Sequence, residues 1–80
     1  MQDLIEKMRN HPKGVRFVDL KKLCDAYFGK PRQSTGSHHV YKMPWPGDPR
    51  VNIQNDKGMA KAYQVKQVLA AIDKLALKIK

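Results

Sequence analysis

Two adjacent histidines, in the stretch Gly36-Ser37-His38-His39-Val40-Tyr41, are the side chains of this sequence best suited to moving protons. The unperturbed pKa of histidine, about 6.5, lets it take and return a proton near neutrality. In RNA, a base that deprotonates a 2′-hydroxyl allows that oxygen to attack the adjacent phosphorus without a metal. DNA has no such hydroxyl, so this chemistry selects RNA. Lys or Arg close by would stabilise the charge that develops on the phosphate, and Lys30, Arg32 and Lys42 lie near the pair in the chain. A histidine pair on a strand is more often packing plus a surface hydrogen bond, so the pair suggests a chemistry without proving it. His11, in a turn with Pro12 and Gly14, reads as structural or idle.

The charge balance points the same way. Sixteen Lys and Arg against seven Asp and Glu give +9 over 80 residues. A surplus of this size favours polyanions, because each neutralised phosphate releases condensed counterions. The basic residues are spread along the chain rather than gathered in a tail. An acidic protein partner would be drawn to the same surface.

Other classes find little support. No Walker loop, dinucleotide-binding glycine pattern or His-Glu-x-x-His occurs. Asp48 and Asp56 lie in separate loops, and no Cys/His spacing suggests a zinc or other metal site. The single cysteine, Cys24, excludes an internal disulfide and sits in an amphipathic pattern that suits a buried thiol. Trp45, between two prolines, could stack on a base or plug its loop against the core, and Tyr63 is ambiguous in the same way. No apolar run approaches the ~20 residues of a membrane span. The start, Met1-Gln2-Asp3-Leu4-Ile5-Glu6, lacks the basic and apolar segments of a signal peptide, so the expected location is cytoplasmic.

The elements that must position these residues follow from periodicity. Residues 2–9 place Leu4, Ile5 and Met8 on one side of a short helix, ended by Asn10-His11-Pro12-Lys13-Gly14. A second helix is expected from an N-cap at Asp19, with Leu20, Leu23, Cys24 and Tyr27 as its buried stripe and Gly29 just past its end. Residues 30–34 suit a short edge strand, Thr35-Gly36 a turn, and Ser37 to Met43 the best strand of the chain. On that strand His38, Val40 and Lys42 face one way and Ser37, His39, Tyr41 and Met43 the other. Both sets mix apolar and polar residues, so alternation leaves open which histidine is exposed. Pro44 to Pro49 is a loop, and residues 50–54 form a half-buried strand with Val51 and Ile53 inward. After a loop at Asn55-Asp56-Lys57-Gly58, a long helix is expected from near Ala60, with Val65, Val68, Leu69, Ile72, Leu75 and Ile79 as its stripe. The fold class is therefore α+β: a three-stranded antiparallel sheet with two helices packed on one face, preceded by a short N-terminal helix.

In this order the residues resemble the HicA family of type II toxin–antitoxin mRNA interferase toxins. The resemblance lies in the helix from Leu20 to Tyr27, the basic strand after it, the Gly36-Ser37-His38 turn and strand, the Pro-containing loop, the strand with Val51 and Ile53, and the helix through Val65-Lys66-Gln67-Val68-Leu69. It covers roughly residues 15–75. It implies an α-β-β-β-α fold like the double-stranded-RNA-binding domain over residues 15–80; residues 1–14 depart from it by exceeding the usual family start, an extension open to a role in antitoxin binding or in dimerisation. It further implies a metal-independent endoribonuclease that degrades mRNA, inhibits translation in a stress response, needs no cofactor and is restrained by a HicB-type antitoxin. His38, the first histidine after Gly36-Ser37, takes the place of the family's catalytic histidine. Gly36, Ser37, Lys30, Arg32, Lys42 and Lys57 are then the expected substrate contacts, with no metal ligand among them. Many family members carry another histidine after the third strand, where this chain has Gln54-Asn55-Asp56. The alternative is a non-catalytic RNA-binding module of the same fold.

Overall fold

A computed structural model describes residues 2–45, 47 and 49–79, without the side chains of residues 33, 35 and 77–79. Asp48 is therefore outside the described residues, as are the side chains of Lys78 and Ile79. The order is α1 (Gln2–Asn10), α2 (Phe17–Phe28), β1 (Gln33–Thr35), β2 (His38–Lys42), β3 (Arg50–Asp56), β4 (Met59–Ala60) and α3 (Ala62–Ile79). The strands form one antiparallel sheet in chain order, with three strands as its body and the two-residue β4 at the edge of β3.

Helix α1 has the expected apolar side. Ile5 and Met8 are buried in the common core, Met8 with only 1% exposure, and Leu4 packs beside them. Arg9 Nη1 donates to Asp73 Oδ2 of α3 at 3.1 Å, tying the first helix to the last. The opening segment is thus a docked part of the core.

Helix α2 starts two residues before the expected cap at Asp19, which lies in its first turn. The reason is tertiary. The chain at 15–17 runs beside β4: Ala60 N donates to Val15 O at 2.8 Å, Phe17 N donates to Gly58 O at 3.0 Å, and Arg16 bridges Met59. Phe17 is held there and buried, so the helix begins with it and Arg16 is its N-cap residue, without a side-chain capping bond. Gly29 ends the helix at φ 82, in the left-handed region that glycine tolerates. Leu20, Leu23 and Cys24 are fully buried, as their spacing requires.

Strand β1 is placed at 33–35, further along than expected, and the two-residue turn is Gly36-Ser37. β3 continues through Asn55 and Asp56, which the sequence assigned to a loop. Lys57 (φ 54) and Gly58 (φ 88) then make a two-residue hairpin, since both turn positions take positive φ. Asn55 Oδ1 accepts from Gly58 N at 2.6 Å and closes the turn. Ala60 consequently belongs to β4, and α3 begins at Ala62. Val65, Val68, Leu69 and Ile72 are buried along α3, and Ala71 joins them.

The inward side chains of the sheet are His39, Tyr41, Val51 and Ile53, with Met43 just beyond β2. They meet α2 and α3, and the other face of the sheet is left without a helix.

Met8→Ala should lower unfolding free energy by about 2–5 kcal/mol, the range for truncating a buried Met and leaving a cavity. Arg9→Ala, which breaks only an exposed ion pair, should cost less than about 1 kcal/mol. Urea unfolding of the two variants checks this. An unchanged midpoint in Met8→Ala would mean that α1 is not part of the cooperative core.

Candidate functional site

The phase of β2 separates the two histidines. Register pairs stack three tiers across the helix-free face: His38 with Gln54, Val40 with Asn52, and Lys42 with Arg50. His38, Lys42, Arg50 and Asn52 are exposed, while Val40 and Gln54 are half-buried. The Gly36-Ser37 turn leads directly into His38, with Gly36 at φ 55. Asn55 N donates to Ser37 O at 2.9 Å and clamps this turn to β3.

His39 faces the opposite way and is 8% exposed. Its ring stacks on Phe17 at 5.4 Å between centroids, and its Nδ1 shares a 2.8 Å hydrogen bond with Ser34 Oγ. Burial, then the nearby Lys21 charge, holds its pKa below the usual histidine value against the opposing pull of Asp25. His39 is thus a packed, neutral ring, the arrangement expected of a histidine that supports its strand.

Two inward groups beside it are also fixed. Tyr41, with 0% exposure, donates its hydroxyl to Asp25 Oδ1 at 2.6 Å, and Lys21 Nζ donates to Asp25 Oδ2 at 2.8 Å. Burial alone would raise the Asp25 carboxyl. The hydrogen bonds from Lys21 and Tyr41 outweigh it and hold the group below the usual carboxylate range. Burial, followed by the bond to Asp25, raises the Tyr41 hydroxyl. Burial likewise pushes the Cys24 thiol up to about 12, so this cysteine is an inert core residue.

The expected basic contacts do not all gather around His38. Lys57 sits in the β3–β4 turn, at the end of the sheet where β2 starts. Lys30, Arg32 and Lys42 instead line an open groove of about 1090 Å³ at the other end. Lys42 is two tiers from His38, about 13 Å along the strand. Arg50 and Val40 also line this groove, as do Tyr27 and Phe28 from the end of α2 and Trp45 from the β2–β3 loop. Trp45 is half-buried and packs against the core, and Lys74 Nζ lies 4.7 Å from its ring centroid. Among the described residues no three His, Cys, Asp or Glu side chains come together as metal ligands do.

Several of these residues carried no motif. Gln54, Asn52 and Arg50 follow from the alternation of β3 only once the register is known. Gln64 is nearly buried because its Oε1 accepts from Gln54 N at 2.8 Å, fastening α3 to β3 beside the His38 tier. Tyr63, whose hydroxyl accepts from Gln64 Nε2 at 3.3 Å, is largely exposed on α3. No protein-family model, curated protein or solved structure matches this chain. No described helix is long and apolar enough to cross a membrane.

The depressed His39 pKa has a defined consequence. Its folded value lies below its unfolded one, so the stability it contributes is complete above about pH 6.5 and is lost as pH falls through the folded value. Urea midpoints should therefore fall between pH 7 and pH 5, and fall less in His39→Gln. Equal slopes in the two proteins would show that His39 is not held neutral. Cys24 should resist a thiol reagent until the chain is unfolded; rapid modification of native protein would contradict its burial.

Proposed function

We propose that this chain is a metal-independent endoribonuclease, the toxin of a type II toxin–antitoxin pair of the kind HicA sequences represent. His38 carries the proposal. It is the histidine that follows Gly36-Ser37, and it stands exposed on the helix-free face of a domain of charge +9. Its neighbour is withdrawn into the core, so a single imidazole is presented to a substrate on this face.

The fold proposed is that of a double-stranded-RNA-binding domain, with α2, β1, β2, β3 and α3 as its α-β-β-β-α order. Antiparallel strands in chain order and helices on one face support it; α1 and β4 would be additions to that plan. The proposed location is cytoplasmic. The proposed partners are mRNA and a HicB-type antitoxin, whose contact surface would include the open face carrying His38.

In the reaction, His38 accepts the proton of a ribose 2′-hydroxyl. The 2′-oxygen bonds to the adjacent phosphorus as the bond from phosphorus to the 5′-oxygen breaks, and the departing oxygen takes up a proton from solvent water. The products are a 2′,3′-cyclic phosphate and a 5′-hydroxyl. Gly36 and Ser37 hold His38 at the start of β2 and stand beside the reacting phosphate. The amide of Gln54, its register partner, supplies a neutral hydrogen-bonding group next to it. Lys57 flanks the His38 end of the sheet, and Lys42, with Lys30 and Arg32 beyond it, holds phosphates further along the strand.

The purified chain, incubated with a single-stranded RNA in EDTA, should cut it and leave those end groups. His38→Ala should lose at least a hundredfold in rate, the lower range for removing a general base, while keeping its circular dichroism spectrum and most of its RNA affinity. His39→Ala should lose stability but cut at a comparable rate while folded. Binding without cleavage by folded wild type would favour a non-catalytic RNA-binding module. Loss of cleavage in folded His39→Ala would place the chemistry on the wrong histidine.

A further inference from the structure

The aromatic and basic groove beyond Lys42 has no part in the proton transfer assigned to His38, yet its composition is specific. β2 runs two residues past Val40, the last residue with a β1 partner, so Tyr41 and Lys42 have no β1 residue opposite them. The notch left by the short β1 strand widens into the groove. At about 1090 Å³ it is slightly larger than the usual range for ligand sites, roughly 300–1,000 Å³. No acidic residue lines it among the described residues, and three of its cations, Lys30, Arg32 and Lys42, have no ion-pair partner among them. Three aromatic rings, Tyr27, Phe28 and Trp45, share its wall and are only half-buried. Lys74 Nζ lies over the Trp45 ring, 4.7 Å from its centroid, so a base stacking on that face displaces this flexible side chain toward the phosphates.

Phosphate-binding cations interleaved with partly open aromatic faces are what unpaired nucleic acid requires: the cations track the backbone, and the rings stack on bases of any sequence. An acidic peptide would satisfy the cations but leave the rings without a complementary surface. The groove also begins on the face that carries His38. Val40 is one tier from His38 and Lys42 two, so a strand reacting at His38 and lying along β2 enters it directly.

We propose that this groove is a stacking site for unpaired nucleotides that flank the cleaved bond, with Trp45 as the main platform and Lys30, Arg32 and Lys42 holding the backbone. The proposal rests on the ribonuclease reading, and it makes the substrate single-stranded where it leaves the His38 tier. A duplex could not open its bases onto these rings, so double-stranded RNA would be a poor substrate despite the kinship of the proposed fold with duplex-binding domains.

Trp45 is the single tryptophan of the chain, so its fluorescence reports on the groove alone. The wild-type chain is titrated with a single-stranded 2′-O-methyl oligonucleotide, whose blocked 2′-oxygen cannot attack. An abasic oligomer of equal phosphate number and a poly-glutamate of equal charge are titrated alongside. The base-bearing strand should quench Trp45 and bind tightest, with the abasic strand weaker and unable to quench. Trp45→Ala should weaken the base-bearing strand roughly 5- to 100-fold, the effect of losing one stacked base, and Trp45→Phe should restore most of it. Because Trp45 also packs on the core, the double variant Lys30→Ala/Arg32→Ala tests the same groove from exposed positions. It should weaken binding more at low than at high salt.

Equal binding and quenching by the abasic strand would overturn the stacking site, and equal binding by poly-glutamate would make the groove a site for an acidic protein. RNA cleavage in EDTA is scored separately. Cleavage without a Trp45 response would sink the groove and spare the ribonuclease. A Trp45 response without cleavage would do the reverse.

Discussion

The hydrogen bond from the Tyr41 hydroxyl to Asp25 Oδ1, 2.6 Å long and shielded from water on the tyrosine side, ties the middle strand to α2. Side chains alternate along a strand, so a slip of one residue would turn every side chain to the opposite face. Tyr41 is too large, and too well matched to Asp25 and the tilted Phe28 ring, to be exchanged for Lys42 or Val40. His39 adds a second lock through Phe17 and Ser34. With Tyr41 and His39 inward, His38, Val40 and Lys42 have only the open face left to occupy. The exposure of His38 is thus a consequence of core packing one and three residues away.

The same constraint organises the charge. Two ion pairs lie on or between helices, where Lys21 meets Asp25 and Arg9 meets Asp73. Lys30, Arg32 and Lys42 stand exposed around the end of β2, with no ion-pair partner among the described residues. Such an arrangement is cheap for stability, because exposed ammonium and guanidinium groups keep their hydration. The proposed chemistry and the proposed stacking site lie on one strand, His38 near its start and the groove past its end.

Small domains bury a modest share of their surface, and this one adds two elements, α1 and β4, around the three-stranded body of its sheet. Helix α1 contributes Ile5 and Met8, and β4 is clamped between β3 and residues 15–17. These additions cover edges and helix surfaces without touching the open face. A core completed on one side only is what allows the other side to remain polar and available.

Composition and periodicity alone determined a good deal: an α+β chain, strongly basic, with helices at the start, between Asp19 and Gly29 and from near Ala60, and strands within Ser37–Met43 and 50–54. These elements have local causes, in the spacing of Leu20, Leu23 and Cys24, of Val65, Val68 and Leu69, and in the alternation around Ile53. Tertiary structure decided what no local pattern encodes. The start of α2 at Phe17, rather than at the good capping residue Asp19, depends on backbone pairing with Gly58, forty-one residues away in the chain (17 to 58). The Lys57-Gly58 hairpin was hidden because lysine is an uncommon residue at positive φ, and pairing across Asn55 and Ala60 holds it there. Which histidine faces solvent depended on Tyr41 finding Asp25, and the grouping of Tyr27, Phe28 and Trp45 with Lys30, Arg32 and Lys42 on β1 ending before β2. In each case the deciding contact joins residues far apart in sequence, and the register that brings them together exists only in the folded sheet.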